Sequence, residues 1–178
     1  MGNLIEERRS IRRFLNKKID KADLDAILRA ARWAPSWGNR QCAEIIVITS
    51  SSSKEQLSRL LSAKNPATKG VENAPVVLAV CGNPLKSGYY KGKQVTRYSQ
   101  WFLYDLGIVS QNICLRAWEL GIGSVIVGSF EHGEVEKYLN IPNEYQVVSL
   151  IPLGYPDHQP PVPKRRELNE FVHYEKFM

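Results

Sequence analysis

Apolar residues recur along this chain with two periods, and the changes of period mark its elements. Asp20 is an N-cap residue type, with Asp23 three positions on. Behind it Leu24, Ile27, Leu28 and Ala31 follow at spacings of three and four, which predicts a helix with one apolar face that stops at Pro35. Residues 45–48 (Ile-Ile-Val-Ile) and 76–80 (Val-Val-Leu-Ala-Val) are unbroken apolar runs and predict two buried strands. Between them, a serine cluster starts a short helix over 53–61, and 65–73 reads as a loop. Residues 83–94 are polar, with two glycines and three lysines, and read as a mobile loop or lid.

The longest predicted helix covers 98–120. Leu106, Ile113, Ala117 and Leu120 trace its stripe, but Trp101, Phe102, Leu103, Ile108, Val109, Cys114, Leu115 and Trp118 make it apolar on most sides. Such a helix is central to a core or buried between subunits. Gly121-Ile122-Gly123 stops it, and 124–127 reads as a third strand ending at Gly128. A short helix over 131–139 and a fourth strand over 147–153, with Pro152 near its end, precede a proline-rich tail from Gly154. Strands and helices mix without strict βαβ alternation, so the expected class is α+β. No linker is long enough to divide 178 residues, so residues 1–178 read as a single domain.

Composition narrows the function classes. A net charge of +6 and a pI near 9.3 permit an acidic ligand, nucleic acid or an anionic membrane surface. Cys42, Cys81 and Cys114 are odd in number, far apart and set among apolar residues, which suggests buried thiols in a reducing compartment and no zinc or disulfide framework. The N-terminus carries no signal-peptide pattern, and no apolar run approaches the roughly 20 residues that span a bilayer. The expectation is therefore a soluble, cytoplasmic protein with no membrane partner. His132, His158 and His173 have no metal-ligand spacing, and neither a GxSxG elbow nor a GxxxxGK[ST] loop is present.

The candidate chemistry is concentrated at three places. Arg8-Arg9-Ser10-Ile11-Arg12-Arg13 brings four guanidinium groups and a hydroxyl together. Arginine's fork of donors matches phosphate oxygens, so the segment reads as an anion site, although an RNA-binding arm has the same appearance. Residues 34–41 (Ala-Pro-Ser-Trp-Gly-Asn-Arg-Gln) form a helix end dense with amides and hydroxyls, which by itself is also what a capped turn looks like. Pro163-Lys164-Arg165-Arg166 is a second basic patch, compatible with a solvated tail.

In this order the three features resemble the nitroreductase family of FMN-dependent oxidoreductases. Asn73-Ala74-Pro75-Val76, Asp105-Leu106-Gly107 through Gln111-Asn112, Leu120-Gly121-Ile122-Gly123-Ser124 and Gly154-Tyr155-Pro156 extend the resemblance over residues 4–174. It implies a mixed, mainly antiparallel sheet flanked by helices in an intertwined homodimer, with FMN at the interface and residues from about 154 to 178 wrapping the partner. Arg8, Arg9, Ser10 and Arg12 would meet the FMN phosphate and ribityl chain, with Lys164 and Arg166 closing on the same phosphate. Pro35, Ser36 and Trp37 would lie along the flavin from the partner subunit, and Asn39 would contact its pyrimidine or ribityl side. Backbone N–H groups of Val127 and Gly128 would face N5 and O4.

No side chain is expected to act as catalytic acid or base, because the resemblance implies that FMN carries the chemistry. It implies ping-pong transfer of hydride from NAD(P)H to a small planar acceptor such as a nitroaromatic or quinone. Tyr98, Trp101 and Phe102 could stack on that acceptor, or simply pack in the core. A flavin-dependent dehydrogenase or reductive dehalogenase with another electron donor is the alternative within the same family. A basic nucleic-acid-binding module is the alternative outside it; the loop at Pro35–Gln41 would have no role there, so no nucleic-acid partner is expected. One departure stands out: many family members continue Gln-Pro-Trp where this chain reads Gln41-Cys42-Ala43.

Overall fold

The computed structural model describes residues 3–177. The chain runs α1 (Leu4–Glu7), α2 (Lys21–Arg32), β1 (Ala43–Ile48), α3 (Ser51–Arg59), α4 (Thr68–Asn73), β2 (Val76–Gly82), a small hairpin of β3 (Tyr89–Tyr90) and β4 (Lys93–Gln94), α5 (Phe102–Glu119), β5 (Gly123–Ser124), α6 (His132–Tyr138) and β6 (Gln146–Gly154). The main sheet has the order β1-β2-β6-β5 with every named pairing antiparallel. A parallel bridge joins Ser10 to Ser124 at its β5 end. The α+β class and the mixed, mainly antiparallel sheet follow as expected.

All seven residues of β2 are buried, because helices cover both faces of the sheet. The pleat sorts its side chains: Val76, Leu78 and Val80 join the core under α2 and α5. Val77, Ala79 and Cys81 join a second core with Leu57 of α3, Val71 of α4 and Val135 of α6. A bulge shifts the β2–β6 register between Val80 and Cys81. It switches the parity of β6, so that Val147 faces the second core while Ile151 and Leu153 face the first.

Three elements differ from the sequence reading. The long helix starts at Phe102, four residues later than predicted, because residues 84–101 form the excursion that carries β3 and β4. Part of the predicted loop 65–73 is α4, whose polar sequence hides a helix because Gly70 must face a backbone: a Cβ there would sit 2.7 Å from the Arg12 carbonyl oxygen. The predicted strand 124–127 is broken. Gly123 pairs with Gly154, Ser124 with Leu153 and Val127 with Leu150, all in one register. The missing rung would need an N–H from Pro152, which proline lacks.

Candidate functional site

Two separate regions of the chain carry the predicted site residues. The first is the arginine segment. Ile11 is fully buried, its N–H donates to the Ser124 carbonyl (2.9 Å), and Ser10 bridges the same residue. Gly123 leaves the space that Ile11 fills, since a Cβ there would lie 2.6 Å from the Ile11 side chain. Farther along, Phe14 bridges Pro156, and the Arg13 carbonyl accepts from Asp157 N–H (3.1 Å). The backbone is thus fixed at every second or third residue, and the arginine heads are left outside.

Those heads are differently engaged. Arg9 Nη1 turns back onto the carbonyls of Glu6 (2.5 Å) and Arg8 (2.9 Å), and Arg12 Nη1 reaches the Ser10 carbonyl at a long 3.4 Å. Arg8 is half-buried, and among the described residues it makes no side-chain hydrogen bond. Ion pairs among the described residues lie elsewhere, between Lys21 and Asp25, Arg59 and Glu55, Lys69 and Glu72, and Arg116 and Glu119. Beside the segment, Ser124 Oγ is buried, with the weakly polar Cys114 thiol next to it. Cys114 lies close by: burial pushes its thiol up, while Ser124 and Arg8 act in the opposite direction. Ion-pair-free guanidinium groups next to a hydroxyl suit an oxyanion, and a phosphate ester fits this donor set.

The tail approaches this region only in part. Gln159, Pro160, Pro161 and Val162 line a groove of about 450 Å³ with Glu7, Arg9 and Trp118. Lys164 and Arg166 lie just beyond it, exposed. Arg166 Nη1 donates to the Glu170 carbonyl (3.4 Å) and its guanidinium stands 5.3 Å over the Phe171 ring. Among the described residues neither Lys164 nor Arg166 bonds to the N-terminal arginines.

The second region is the loop after α2. Pro35 is exposed, and Trp37–Asn39 make one turn of 3₁₀ helix. Gly38, Asn39 and Gln41 have φ of +52°, +53° and +49°, three left-handed residues within four positions. Such a concentration costs about 1 kcal/mol or more at each non-glycine position and is held by the surroundings. Here the holding group is Asp105 on α5, 2% exposed. Its carboxylate accepts from Trp37 N–H (3.1 and 3.3 Å), Ser87 Oγ (2.6 Å) and Cys42 Sγ (3.5 Å). Ser36 Oγ accepts from Gln41 N–H (2.9 Å), and Arg40 Nε donates to the Lys86 carbonyl (2.9 Å). Burial first, and Asp105 second, push the Cys42 thiol up to about 12, so it is a proton donor and not a thiolate at neutral pH. Asp105 also lines a cleft of about 390 Å³ with Leu28, Ala31, Ser36, Cys42 and Ile45. In the sequence Asp105 stands only as the first residue of one motif of the resemblance, with no role attached; a carboxylate early in a helix apolar on most sides was the available signal.

At two predicted positions the geometry shows other contacts. Phe102 is 1% exposed and packs at Gly82 and within the α2–α5 core, so it is not open to a substrate. Tyr98 is 64% exposed, and Trp101 is half-buried with its ring centroid 5.6 Å from that of Tyr104. The N–H of Val127 is donated to the Leu150 carbonyl (2.9 Å), so it is not a free donor; of the expected pair, Gly128 alone is exposed. Both nitrogens of the His132 ring lie at carbonyl oxygens, Val147 at 2.9 Å and Gly128 at 3.2 Å, which ties this turn to α6.

Comparison with known proteins supplies a frame for these two regions. An Archaeoglobus fulgidus protein provisionally named an NADH dehydrogenase/NAD(P)H nitroreductase is 34% identical over 157 residues, covering 86% of this chain and 83% of the relative. The NADPH-flavin oxidoreductase of Vibrio harveyi is 28% identical over 185 residues, covering 99% of this chain and 75% of its own. The crystal structure of a nitroreductase family protein from Clostridium difficile superposes with a TM-score of 0.82 at 30% identity, covering 99% of this chain and 100% of the other. The Nitroreductase family model matches residues 5–73 and 52–155, a span that includes the arginine segment, the loop after α2 and the Asp105 helix, and the chain belongs to that family.

Proposed function

We propose that this chain is an FMN-dependent NAD(P)H oxidoreductase that acts as a homodimer on a small planar acceptor. The observation that carries the reading is the arginine segment: half-buried, ion-pair-free guanidinium groups fixed beside the buried Ser124 hydroxyl. Arg8, Ser10 and Arg12 would hold the cofactor's phosphate, with Lys164 and Arg166 brought in from the tail. When bound, FMN supplies the two-electron carrier that a chain without an evident acid–base residue needs. The flavin named for the Vibrio harveyi relative supports this choice.

Homodimer formation is supported by the separation of the two regions. No hydrogen bond or ion pair among the described residues joins the arginine segment to the Pro35–Asn39 loop, so the loop would lie along the flavin of a second copy. Apolar surface is available for that contact: Leu103 and Tyr104 on α5, and Leu168, Phe171, Tyr174 and Phe177 on the tail, are all exposed. We place residues 1–178 in one domain, with residues 154–178 reaching across to the partner. In that assembly the exposed Gly128 N–H is the backbone donor left to face the flavin edge, and Trp37, fixed through its N–H by Asp105, would limit the space above it.

The net reaction balances as NAD(P)H + H⁺ + R–NO₂ → NAD(P)⁺ + R–NO + H₂O, or with a quinone reduced to its hydroquinone. Both substrates would use one site in turn, which gives ping-pong kinetics. The test is a visible spectrum. Purified protein reconstituted with FMN should show bound-flavin absorbance that NADH or NADPH bleaches and a nitroaromatic or quinone restores. Protein that retains no FMN would overturn the reading.

A further inference from the structure

From Asn83 to Tyr104 the chain contains no aspartate or glutamate, but it carries Lys86, Lys91, Lys93 and Arg97. None of the four is in an ion pair among the described residues. The sequence over 83–94 reads as a mobile loop or lid, and in the structure its tip is built. Lys91 and Gly92, with φ of +47° and +75°, make a two-residue turn between β3 and β4 of the kind that matches strand twist. Val95 N–H closes onto the Gly88 carbonyl (2.9 Å), and Gln94 Nε2 and Thr96 Oγ1 hold the Thr96 and Tyr98 carbonyls (2.8 and 2.9 Å). The result is a presented surface of cations and rings. Tyr90 and Tyr98 are 61% and 64% exposed, with Lys91 Nζ 5.5 Å from one ring centroid and the Arg97 guanidinium 5.8 Å from the other.

The flap is fixed to the loop that our functional reading sets along the flavin. Ser87 at its stem and Trp37 in the loop donate to the same Asp105 carboxylate, and Arg40 binds the Lys86 carbonyl. An exposed ring beside a cation is complementary to a planar aromatic that bears a negative charge: the ring stacks while the cation attracts. We propose that this flap makes the enzyme selective for anionic aromatic acceptors, such as a nitro- or quinonoid aromatic carboxylate, over neutral ones of the same shape. The inference rests on the function proposed above and adds its substrate class. The other anion that reaches such a site is the diphosphate of NAD(P)H, and the experiment separates the two.

The holoenzyme is photoreduced, so that no nicotinamide is needed. Reoxidation is then followed by stopped flow with 4-nitrobenzoate and with 4-nitrobenzamide, in the wild type and in a K91Q/K93Q/R97Q variant. The three flap charges predict that the variant lowers the benzoate-to-benzamide ratio of second-order rate constants about tenfold at low ionic strength. They also predict that the wild-type ratio falls as salt is raised. Equal ratios in the two proteins, or a wild-type ratio insensitive to salt, would overturn the proposal. Reduction of the oxidised enzyme by NADH and NADPH is measured alongside. A loss in the variant confined to that half-reaction assigns the flap to the dinucleotide and also overturns it. Failure of NAD(P)H to reduce the flavin, with acceptor selectivity intact, would count against the proposed donor and leave the flap's role standing.

Discussion

At the scale of single residues, the structure separates arginines that the sequence presents as equivalents. Arg9 is committed to two backbone carbonyls of its own turn, whereas the Arg8 side chain makes no hydrogen bond or ion pair among the described residues. A charge-assisted hydrogen bond to phosphate contributes about 1.5–3 kcal/mol, so Arg8→Ala should weaken FMN binding roughly 10- to 100-fold. Its unfolding midpoint without FMN should barely move, because no native hydrogen bond or ion pair is lost. Fluorescence titration of FMN and thermal melts of the apoprotein check both halves, and unchanged FMN affinity would return Arg8 to the solvated surface. The thiols give a second expectation. Cys42 and Cys81 are each pushed from 9.0 up to about 12 by burial, and Cys114 is raised as well. All three should resist alkylation at pH 8 in the folded protein and react in denaturant. An unfolded chain loses these protons from about pH 9 while the folded one retains them, so the thiols make stability fall as pH rises above about 9. Lys54, lowered from 10.5 by burial, works with the opposite sign: its share of stability rises as pH approaches 10.5. Comparing denaturation midpoints at pH 8 and 10 in the wild type and Lys54→Met isolates it, and the variant should show the steeper fall.

Elements show how much of the fold and site the sequence carried. The buried strand β2, the helix that ends before Pro35 and the apolar helix α5 were legible because each is a regular period interrupted by a strong signal. β5 was legible only in part, since its break depends on Pro152 across the ladder, a long-range fact with no local trace. α4 was missed because its sequence answers to Arg12: Gly70 allows the helix to approach that carbonyl, and no pattern within 65–73 reports it. The arginine segment and the loop after α2 carry roles as motifs, whereas Asp105 stands in its motif without one, because the loop it fixes is 68 positions away. Both hidden contacts are testable. Gly70→Ala forces a Cβ toward a backbone oxygen 2.7 Å away, which has no soft side chain to yield. A loss of about 1–3 kcal/mol in urea unfolding is expected, together with weaker FMN retention, because the displaced backbone is that of Arg12. Asp105→Ala leaves Trp37 N–H, Ser87 Oγ and Cys42 Sγ without their acceptor and should cost about 3–5 kcal/mol. Ser87→Ala is the milder probe. It removes one donor and releases the flap stem, so it should raise KM for the acceptor while leaving FMN affinity unchanged.

For the whole molecule the question is what the chain beyond β6 contributes, since the core ends there. From Pro161 onward nearly every described residue is exposed, and none of them belongs to either core cluster. A stretch that buries nothing in its own subunit, yet exposes Leu168, Phe171, Tyr174 and Phe177, has its apolar surface without a use unless another chain covers it. The cleft of about 390 Å³ beside the free edge of β1 offers such a place on a second copy. Truncation after Gln159 tests this directly. Because both cores lie upstream, far-UV circular dichroism should be nearly unchanged. Light scattering should show the dimer dissociating at concentrations where the full chain does not, and FMN affinity should fall with the loss of Lys164 and Arg166. Lys164→Gln/Arg166→Gln in the full-length chain separates the two effects: FMN should weaken while the dimer persists. A truncated chain that stays dimeric and binds FMN as the full chain does would confine the tail to solvent. In that case the arginine segment alone would have to neutralise the phosphate.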